Sequence, residues 1–127
     1  MADPRHLLGV AAEAAVAGWL TDAGWRIVDR RVRSPSGGEV DIVAVDPSRT
    51  LVAIEVRARR TRRTGAAAVS VDAQRVARLG RTLAAVAASG EHRHRALRID
   101  LVTVEPSDEP GRWCLARIPG IGWGVSR

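Results

Sequence analysis

The chain has 127 residues, of which 46% are hydrophobic, 27% charged and 3% aromatic. This length predicts a single domain over residues 1–127, and the hydrophobic fraction excludes a disordered chain. One cysteine, Cys114, excludes an internal disulfide framework and a cysteine-based zinc cluster. No apolar run approaches the roughly 20 residues of a membrane helix, and Glu13 interrupts the N-terminal stretch that imitates a secretion signal. We therefore expect a cytoplasmic protein without a membrane partner.

The charge of the chain gives a first indication of its partner. All twenty basic residues are arginine, fourteen residues are acidic, and the formal net charge is +6. A domain this basic favours an anionic partner, most often nucleic acid. The alternative is that the arginine bias reflects only genome composition and solubility.

The predicted elements, in chain order, are a helix, three strands, a second helix and two further strands (α-β-β-β-α-β-β). The helices span residues 4–23 and 71–89, and Gly24 ends the first. The strands span residues 25–33, 39–46, 50–58, 97–105 and 112–118. A turn is predicted at residues 35–38 and a mobile, arginine-rich loop at 59–69. Because a helix joins the third and fourth strands, these should be parallel neighbours in a mixed central sheet flanked by helices.

The second helix has a predicted cap, a buried stripe and a series of arginines. Ser70 or Asp72 caps its first turn. Its apolar stripe consists of Val71, Val76, Leu79, Leu83 and Val86. Arg75, Arg78 and Arg81 recur every three residues. They either extend a nucleic-acid-binding surface or form the ordinary solvent face of the helix.

The hairpin of the second and third strands brings acidic residues together. If its turn is centred near Ser48, Asp41 lies opposite Glu55 and Glu39 lies opposite Arg57. Because side chains alternate along a strand, these four residues share one face of the hairpin. The opposite face is apolar throughout and consists of Val40, Ile42, Ala44, Val52, Ile54 and Val56.

Facing carboxylates repel each other, so the hairpin needs a compensating charge. A divalent cation, the guanidinium of Arg57 or Arg59, or solvent at the strand end would each serve. Glu13 lies within the apolar stripe of the first helix, where an acid is costly unless it is paired or binds a metal. It either joins the hairpin acids, reaches solvent at the edge of the stripe, or pairs with an arginine.

These runs resemble the YraN family, a widespread bacterial group with a restriction-endonuclease-like fold. The resemblance rests on residues 38–44 and 51–59, and it extends over residues 9–104. Further matching positions, in the order of the family, are Glu13, Gly24, Arg31, Arg33, Val71, Arg75, Arg78 and residues 98–102. The resemblance implies a restriction-endonuclease-like core with the predicted element order.

The resemblance also implies a nuclease site of the type Asp…Glu-x-Lys. Asp41 and Glu55 would be ligands of Mg²⁺ or Mn²⁺, Glu13 would position the metal or water, and Glu39 would be accessory. Arg57 stands where the family has lysine. An arginine does not transfer protons near neutral pH, although it can bind a phosphate or stabilise a transition state.

The arginines beside the acids predict contacts with a phosphate backbone. The residues expected to bind nucleic acid are Arg31, Arg33, Arg59, Arg60, Arg62, Arg63, Arg75 and Arg78. The function that follows is a metal-dependent hydrolase that cleaves phosphodiester bonds in DNA, at branched or single-stranded structures. Because of Arg57, enzymatic activity stays open. The alternatives are a non-catalytic nucleic-acid-binding module and a protein-interaction domain that uses Trp123. Pairing of two copies is also left open.

Overall fold

The computed structural model describes residues 3–33, 38–59 and 71–122. Its elements follow the predicted order. The helices are α1 (Pro4–Asp22) and α2 (Ala73–Ala88). The strands are β1 (Arg26–Arg33), β2 (Glu39–Val45), β3 (Thr50–Ala58), β4 (Ala96–Pro106) and β5 (Trp113–Ile118). Most of the predicted turn at 35–38 and of the predicted loop at 59–69 lies outside the described residues.

The five strands form one mixed sheet in the order β1-β2-β3-β4-β5. β3 and β4 are parallel, and each of the other neighbouring pairs is antiparallel. The chain between the two parallel strands contains α2, as a crossover connection requires. The predicted mixed sheet and its parallel pair are therefore confirmed.

The hairpin of β2 and β3 has the register that the sequence predicts. Ile42 pairs with Ile54, and Val45 pairs with Leu51. The turn is held by Asp46, whose Oδ1 accepts hydrogen bonds from the backbone N–H groups of Ser48 at 2.8 Å and Thr50 at 2.9 Å. An aspartate that binds the backbone ahead of it is a common way to begin a turn.

The second helix also begins as predicted. Asp72 is its N-cap, and the Asp72 Oδ1 accepts a hydrogen bond from the Arg75 N–H at 2.8 Å. The other predicted cap, Ser70, lies outside the described residues. The predicted stripe is confirmed, because all five of its members belong to one apolar cluster or pack against it.

Two apolar cores lie on opposite faces of the sheet, one beneath each helix. The α1-side core consists of Ala12, Val16, Ala17, Leu20, Trp25, Ile42, Ala44, Val52, Ile54, Val102 and Val104. The α2-side core consists of Val40, Val43, Val45, Leu51, Ala53, Val76, Leu79, Leu83 and Ile99. The central strands are therefore covered on both faces, which explains why their sequences are continuous apolar runs.

The alternation of faces breaks near the start of β2. Val40 packs in the α2-side core, whereas Ile42 packs in the α1-side core. The predicted apolar face that contained both residues is therefore wrong at Val40. The cause lies in the neighbouring strand, where Arg31 has a φ of 54° between the pairs Arg30–Ile42 and Val32–Val40. A residue with a left-handed backbone conformation rotates the chain, so that side chains no longer alternate between the two faces of the sheet at every residue.

A network around Asp100 ties β4 to β5 on the α1 side of the sheet. The Asp100 side chain is completely buried. It accepts hydrogen bonds from Arg98 Nε at 2.7 Å, Arg117 Nη1 at 2.9 Å and the Gly120 N–H at 3.1 Å. Both guanidiniums also lie over the ring of Trp25. Each polar group therefore has a partner, as burial requires.

Neither helix in the described part of the chain has the length and hydropathy that crossing a bilayer demands.

Candidate functional site

Three acidic side chains from three different elements come together at one end of the sheet. Glu13 is contributed by α1, Asp41 by β2 and Glu55 by β3. Glu13 is 7% exposed and Glu55 is 5% exposed, while Asp41 is half-buried. Buried carboxylates so close together need compensation, since each costs free energy when it is removed from water.

Asp41 interacts with both other acids, and its charged form is the most strongly destabilised of the three. The pKa of Asp41 is raised from 3.8 to about 7, chiefly by burial, and the charges of Glu55 and Glu13 and a hydrogen bond with Glu55 contribute to this rise. The Val56 N–H, which donates to Asp41 Oδ2 at 2.8 Å, acts in the opposite direction. Asp41 therefore holds a proton far more readily than an ordinary aspartate.

Glu55 is held from the opposite side of the sheet, by α2. Arg75 Nε donates to Glu55 Oε2 at 3.2 Å, and Arg75 Nη2 donates to Glu55 Oε1 at 3.0 Å. The same Nη2 donates to the Glu39 carbonyl at 3.1 Å. Arg57 Nε approaches Glu55 Oε2 at 3.5 Å. The bond to Glu55 raises the pKa of Arg75.

Asp41 and Glu55 do not share one face, contrary to the expectation from strand alternation. Asp41 lines the cavity on the α1 side of the sheet, whereas Glu55 is bound by Arg75 of α2. Their carboxyl groups still interact, because the two strands are no longer paired backbone to backbone beyond Ile42 and Ile54. The Val56 N–H bonds to a side chain there instead of to a strand carbonyl.

Glu13 is paired with two consecutive arginines of β1. Arg30 Nε and Arg31 Nε each lie 3.4 Å from Glu13 Oε1. The acid on the apolar stripe of α1 is thus buried and compensated by arginine, which is one of the alternatives that the sequence left open.

The space between α1 and the sheet is a cavity of about 750 Å³. It is lined by His6, Leu8, Gly9, Val10, Glu13, Arg31, Arg33, Glu39, Asp41, Val56 and Ala58. At one edge Arg33 Nε pairs with Glu39 Oε2 at 3.1 Å, and the Arg33 side chain is 83% exposed. Acidic and basic groups therefore meet around one open volume, which is the usual environment of a functional site.

The arginines that were expected to bind nucleic acid lie in different places. Arg31 and Arg33 line the cavity. Arg75 is engaged by Glu55 instead of lying on the outer face of α2, because the buried carboxylate needs a cation. Arg59 and Arg78 are half-buried. Arg60, Arg62 and Arg63, and also Trp123, lie outside the described residues.

Arg30 was not identified from the sequence. Strand alternation places consecutive residues on opposite faces, so a prediction that selects Arg31 excludes Arg30. The left-handed backbone at Arg31 has no signature in a single sequence, since arginine rarely adopts it.

The acids match the chemistry of a hard divalent cation, but they are not assembled into a cage. Among residues 3–33, 38–59 and 71–122, no three His, Cys, Asp or Glu side chains converge closely enough to hold a metal ion. Asp41 and Glu55 offer the oxygen ligands that Mg²⁺ and Mn²⁺ prefer. Asp41 and Glu55 therefore fit such an ion by donor type, whereas Glu13 is paired with two arginines.

The fold and the site define the class of protein to which the chain belongs. A five-stranded mixed sheet between two helices, in the order α-β-β-β-α-β-β, is consistent with a restriction-endonuclease-like core. Within that class the chain belongs to the family described as uncharacterised protein family UPF0102, whose model matches residues 12–104. The resemblance to the YraN family is thereby confirmed.

Bacterial relatives match the chain over most of its length. A UPF0102 protein of Paenarthrobacter aurescens is 41% identical over 100 residues, which cover 79% of this chain and 81% of the relative. One from Symbiobacterium thermophilum is 39% identical over 102 residues, with 80% and 85% covered. One from Corynebacterium efficiens is 35% identical over 125 residues, with 98% and 99% covered.

Proposed function

We propose that the protein is a Mg²⁺- or Mn²⁺-dependent nuclease that hydrolyses phosphodiester bonds in DNA. The observation that carries the proposal is the position of Asp41, between Glu13 and Glu55, with a pKa raised to about 7. An acid so destabilised in its charged form is typical of functional sites and is relieved when a cation binds. Arg31 and Arg33, which line the cavity beside it, support an anionic substrate.

Each acid has a distinct part in this proposal. Asp41 and Glu55 would hold the metal ion, and Glu13, on α1, would orient a water molecule or the metal from the cavity side. When bound, the ion would activate water and neutralise charge on the phosphoryl oxygens. Glu39 pairs with Arg33 at the cavity edge and has an accessory part.

Arg57 would serve this site as a fixed positive charge. An arginine does not transfer protons near neutral pH, so it would stabilise negative charge or bind a phosphate oxygen. Its side chain is 45% exposed and lies beside Glu55, a position from which it can reach a bound strand. Proton transfer would then fall to water or to Asp41.

The experiment that tests this function is cleavage of labelled linear duplex, single strand, flap and four-way junction. Each substrate is incubated with Mg²⁺, with Mn²⁺ and with chelator. We expect metal-dependent cleavage that falls by at least about 100-fold in Glu55→Gln, since removal of one electrostatic group at a reacting centre has effects of this size. Glu109→Gln is the matched control, because its side chain is 71% exposed and does not line the cavity.

Full cleavage by Glu55→Gln would contradict the assignment. The same preparations, measured by size-exclusion chromatography with light scattering, would show whether two copies pair, which stays a prediction.

A non-catalytic nucleic-acid-binding module is the second candidate, and a specific observation favours it. Glu13 and Glu55 are each already compensated by two arginines, so these acids are neutralised without a metal ion. Salt-sensitive DNA binding that chelator does not change, with no cleavage, would support this candidate. In that case Arg57→Lys tests whether the arginine is the disabling substitution, since it restores a proton-transfer group.

A further inference from the structure

Two consecutive arginines of β1 reach the same carboxylate oxygen. Arg30 Nε and Arg31 Nε both lie 3.4 Å from Glu13 Oε1. In a regular strand, neighbouring side chains point to opposite faces and do not converge. The convergence is produced by the backbone of Arg31, whose φ of 54° turns its side chain to the face that Arg30 already occupies.

The pair carries more positive charge than Glu13 neutralises. One carboxylate faces two guanidiniums, and in the part of the chain that the structure describes neither guanidinium makes a further ion pair. The arginine side chains are 41% and 45% exposed, whereas that of Glu13 is 9% exposed. The buried carboxylate therefore fixes the positions of both arginines. Their guanidiniums remain partly exposed and carry one more positive charge than Glu13 neutralises.

The cavity beside this pair has an apolar wall. Arg31 of β1 lines it together with Leu8, Gly9, Val10 and Glu13, which all belong to α1. A volume of about 750 Å³ lies within the roughly 300–1,000 Å³ that holds small ligands, and is too small to enclose a duplex. Positive charge beside an apolar surface suits a nucleotide unit, which has a phosphate at one end and a base at the other.

We propose that Arg30 and Arg31 form a two-arginine phosphate site, which binds an internucleotide phosphate of a single strand whose adjacent base packs on Leu8 and Val10. Guanidiniums bind phosphate oxygens with paired, charge-assisted hydrogen bonds, and two of them can hold one phosphate from two directions. The identity of the ligand as nucleic acid rests on the proposed function, whereas the arginine site itself needs neither a metal ion nor catalysis.

The test is fluorescence anisotropy with labelled oligothymidylate in chelator, so that binding is measured without cleavage. We expect Arg30→Gln and Arg31→Gly each to weaken binding about tenfold, because each removes a hydrogen-bonded charge contact. The slope of log affinity against log salt concentration should fall by about 0.7 for each arginine lost. Glycine is chosen at position 31 because it retains the positive φ without strain.

Two further variants control for charge and for folding. Arg26→Gln removes the same charge from an exposed position of β1, and we expect affinity to change by no more than about twofold. Arg30→Lys keeps the charge but loses the planar fork, so its affinity should lie between those of the wild-type protein and Arg30→Gln. Thermal unfolding of each variant confirms that the fold is retained.

The outcomes separate this inference from the proposed function. If Arg30→Gln binds like Arg26→Gln, the phosphate site is overturned even where the wild-type protein cleaves DNA. If binding depends on both arginines but no metal promotes cleavage, the site stands and the nuclease proposal fails. Equal losses with a blunt duplex would overturn the single-strand assignment. Absence of any binding by the wild-type protein would overturn the phosphate site, whereas the nuclease proposal is decided separately by the cleavage experiment with metal ions.

Discussion

Arg31 is the residue at which β1 and β2 cease to alternate, and one of the two ion pairs of Glu13 depends on it. Its φ of 54° lies in a region that costs an L-amino acid about 1–2 kcal/mol. The neighbouring pairs, Arg30–Ile42 and Val32–Val40, keep the conformation in place. Strain of this kind persists where the surrounding structure enforces it, and it is concentrated at functional sites.

This strain predicts an unusual order of stabilities at position 31. Arg31→Gly and Arg31→Ala both remove the guanidinium, but only glycine adopts the positive φ without cost. We expect the free energy of unfolding of Arg31→Gly to exceed that of Arg31→Ala by about 1 kcal/mol in urea denaturation. At Arg33, which has no positive φ, the alanine variant should be the more stable of the two. The same order at both positions would contradict the argument.

Asp41 predicts how stability depends on pH. Because folding raises its pKa from 3.8 to about 7, the folded protein retains a proton that the unfolded chain releases between these values. The contribution of this group to stability is therefore complete below about pH 4 and is lost as the pH rises through 7. Asparagine is neutral at every pH and still accepts the hydrogen bond of the Val56 N–H.

We therefore expect Asp41→Asn to raise the melting temperature relative to the wild-type protein at about pH 8, in chelator, and to have little effect at about pH 4. Asp108→Asn, in an exposed turn, serves as the control and should show no such difference between the two pH values. A shift in melting temperature that is equal at both pH values would show that Asp41 is not protonated more readily in the folded state.

At the scale of elements, α2 is fastened to the central hairpin through Arg75. This residue bonds both oxygens of Glu55 on β3 and the carbonyl of Glu39 on β2. Three elements thus share one guanidinium whose partner is buried. Loss of one member of such a pair leaves an uncompensated charge in the protein, which is more costly than loss of an exposed pair.

We expect Arg75→Ala to lower the free energy of unfolding by about 2–3 kcal/mol. Arg81→Ala, which removes an exposed arginine from the same helix, should change it by no more than about 0.5 kcal/mol. A double-mutant cycle with Glu55→Ala should return a coupling energy of at least about 1 kcal/mol. Additive effects in that cycle would mean that the contact contributes nothing of its own.

At the scale of the whole molecule, one sheet separates two cores that depend on it equally. Leu20 of α1 and Leu83 of α2 are almost fully buried on opposite faces. The strands between them contribute alternate side chains to both cores, so neither helix has a core without the sheet. Such an arrangement should unfold as one unit.

We expect Leu20→Ala and Leu83→Ala each to lower the free energy of unfolding by about 2–5 kcal/mol. In both variants the losses of tryptophan fluorescence and of far-ultraviolet circular dichroism should coincide in urea. This experiment tests the prediction of a single domain over residues 1–127. Separate transitions in either variant would show that the two faces fold independently.

Much of the fold was predictable because its signals are local. Asp46 forms a turn with residues that follow it directly, and Asp72 caps a helix within its first turn, so neighbouring residues determine both. The hairpin register follows from the turn and the apolar pattern, and it was predicted correctly. For Glu13, burial and pairing with arginine was one of the alternatives that its place on the stripe of α1 left open.

The sequence by itself determined the order of elements and the mixed sheet, and it predicted which acids carry the candidate chemistry. Only the tertiary structure decided which face each acid occupies and which arginine compensates it. Arg75 and Glu55 are 20 residues apart, and Arg31 and Glu13 are 18 apart, so no local pattern connects them. The positive φ of Arg31 arises from pairing with β2 against the preference of arginine itself. Local preference and alternation determine elements, whereas packing between distant segments determines the geometry of the site.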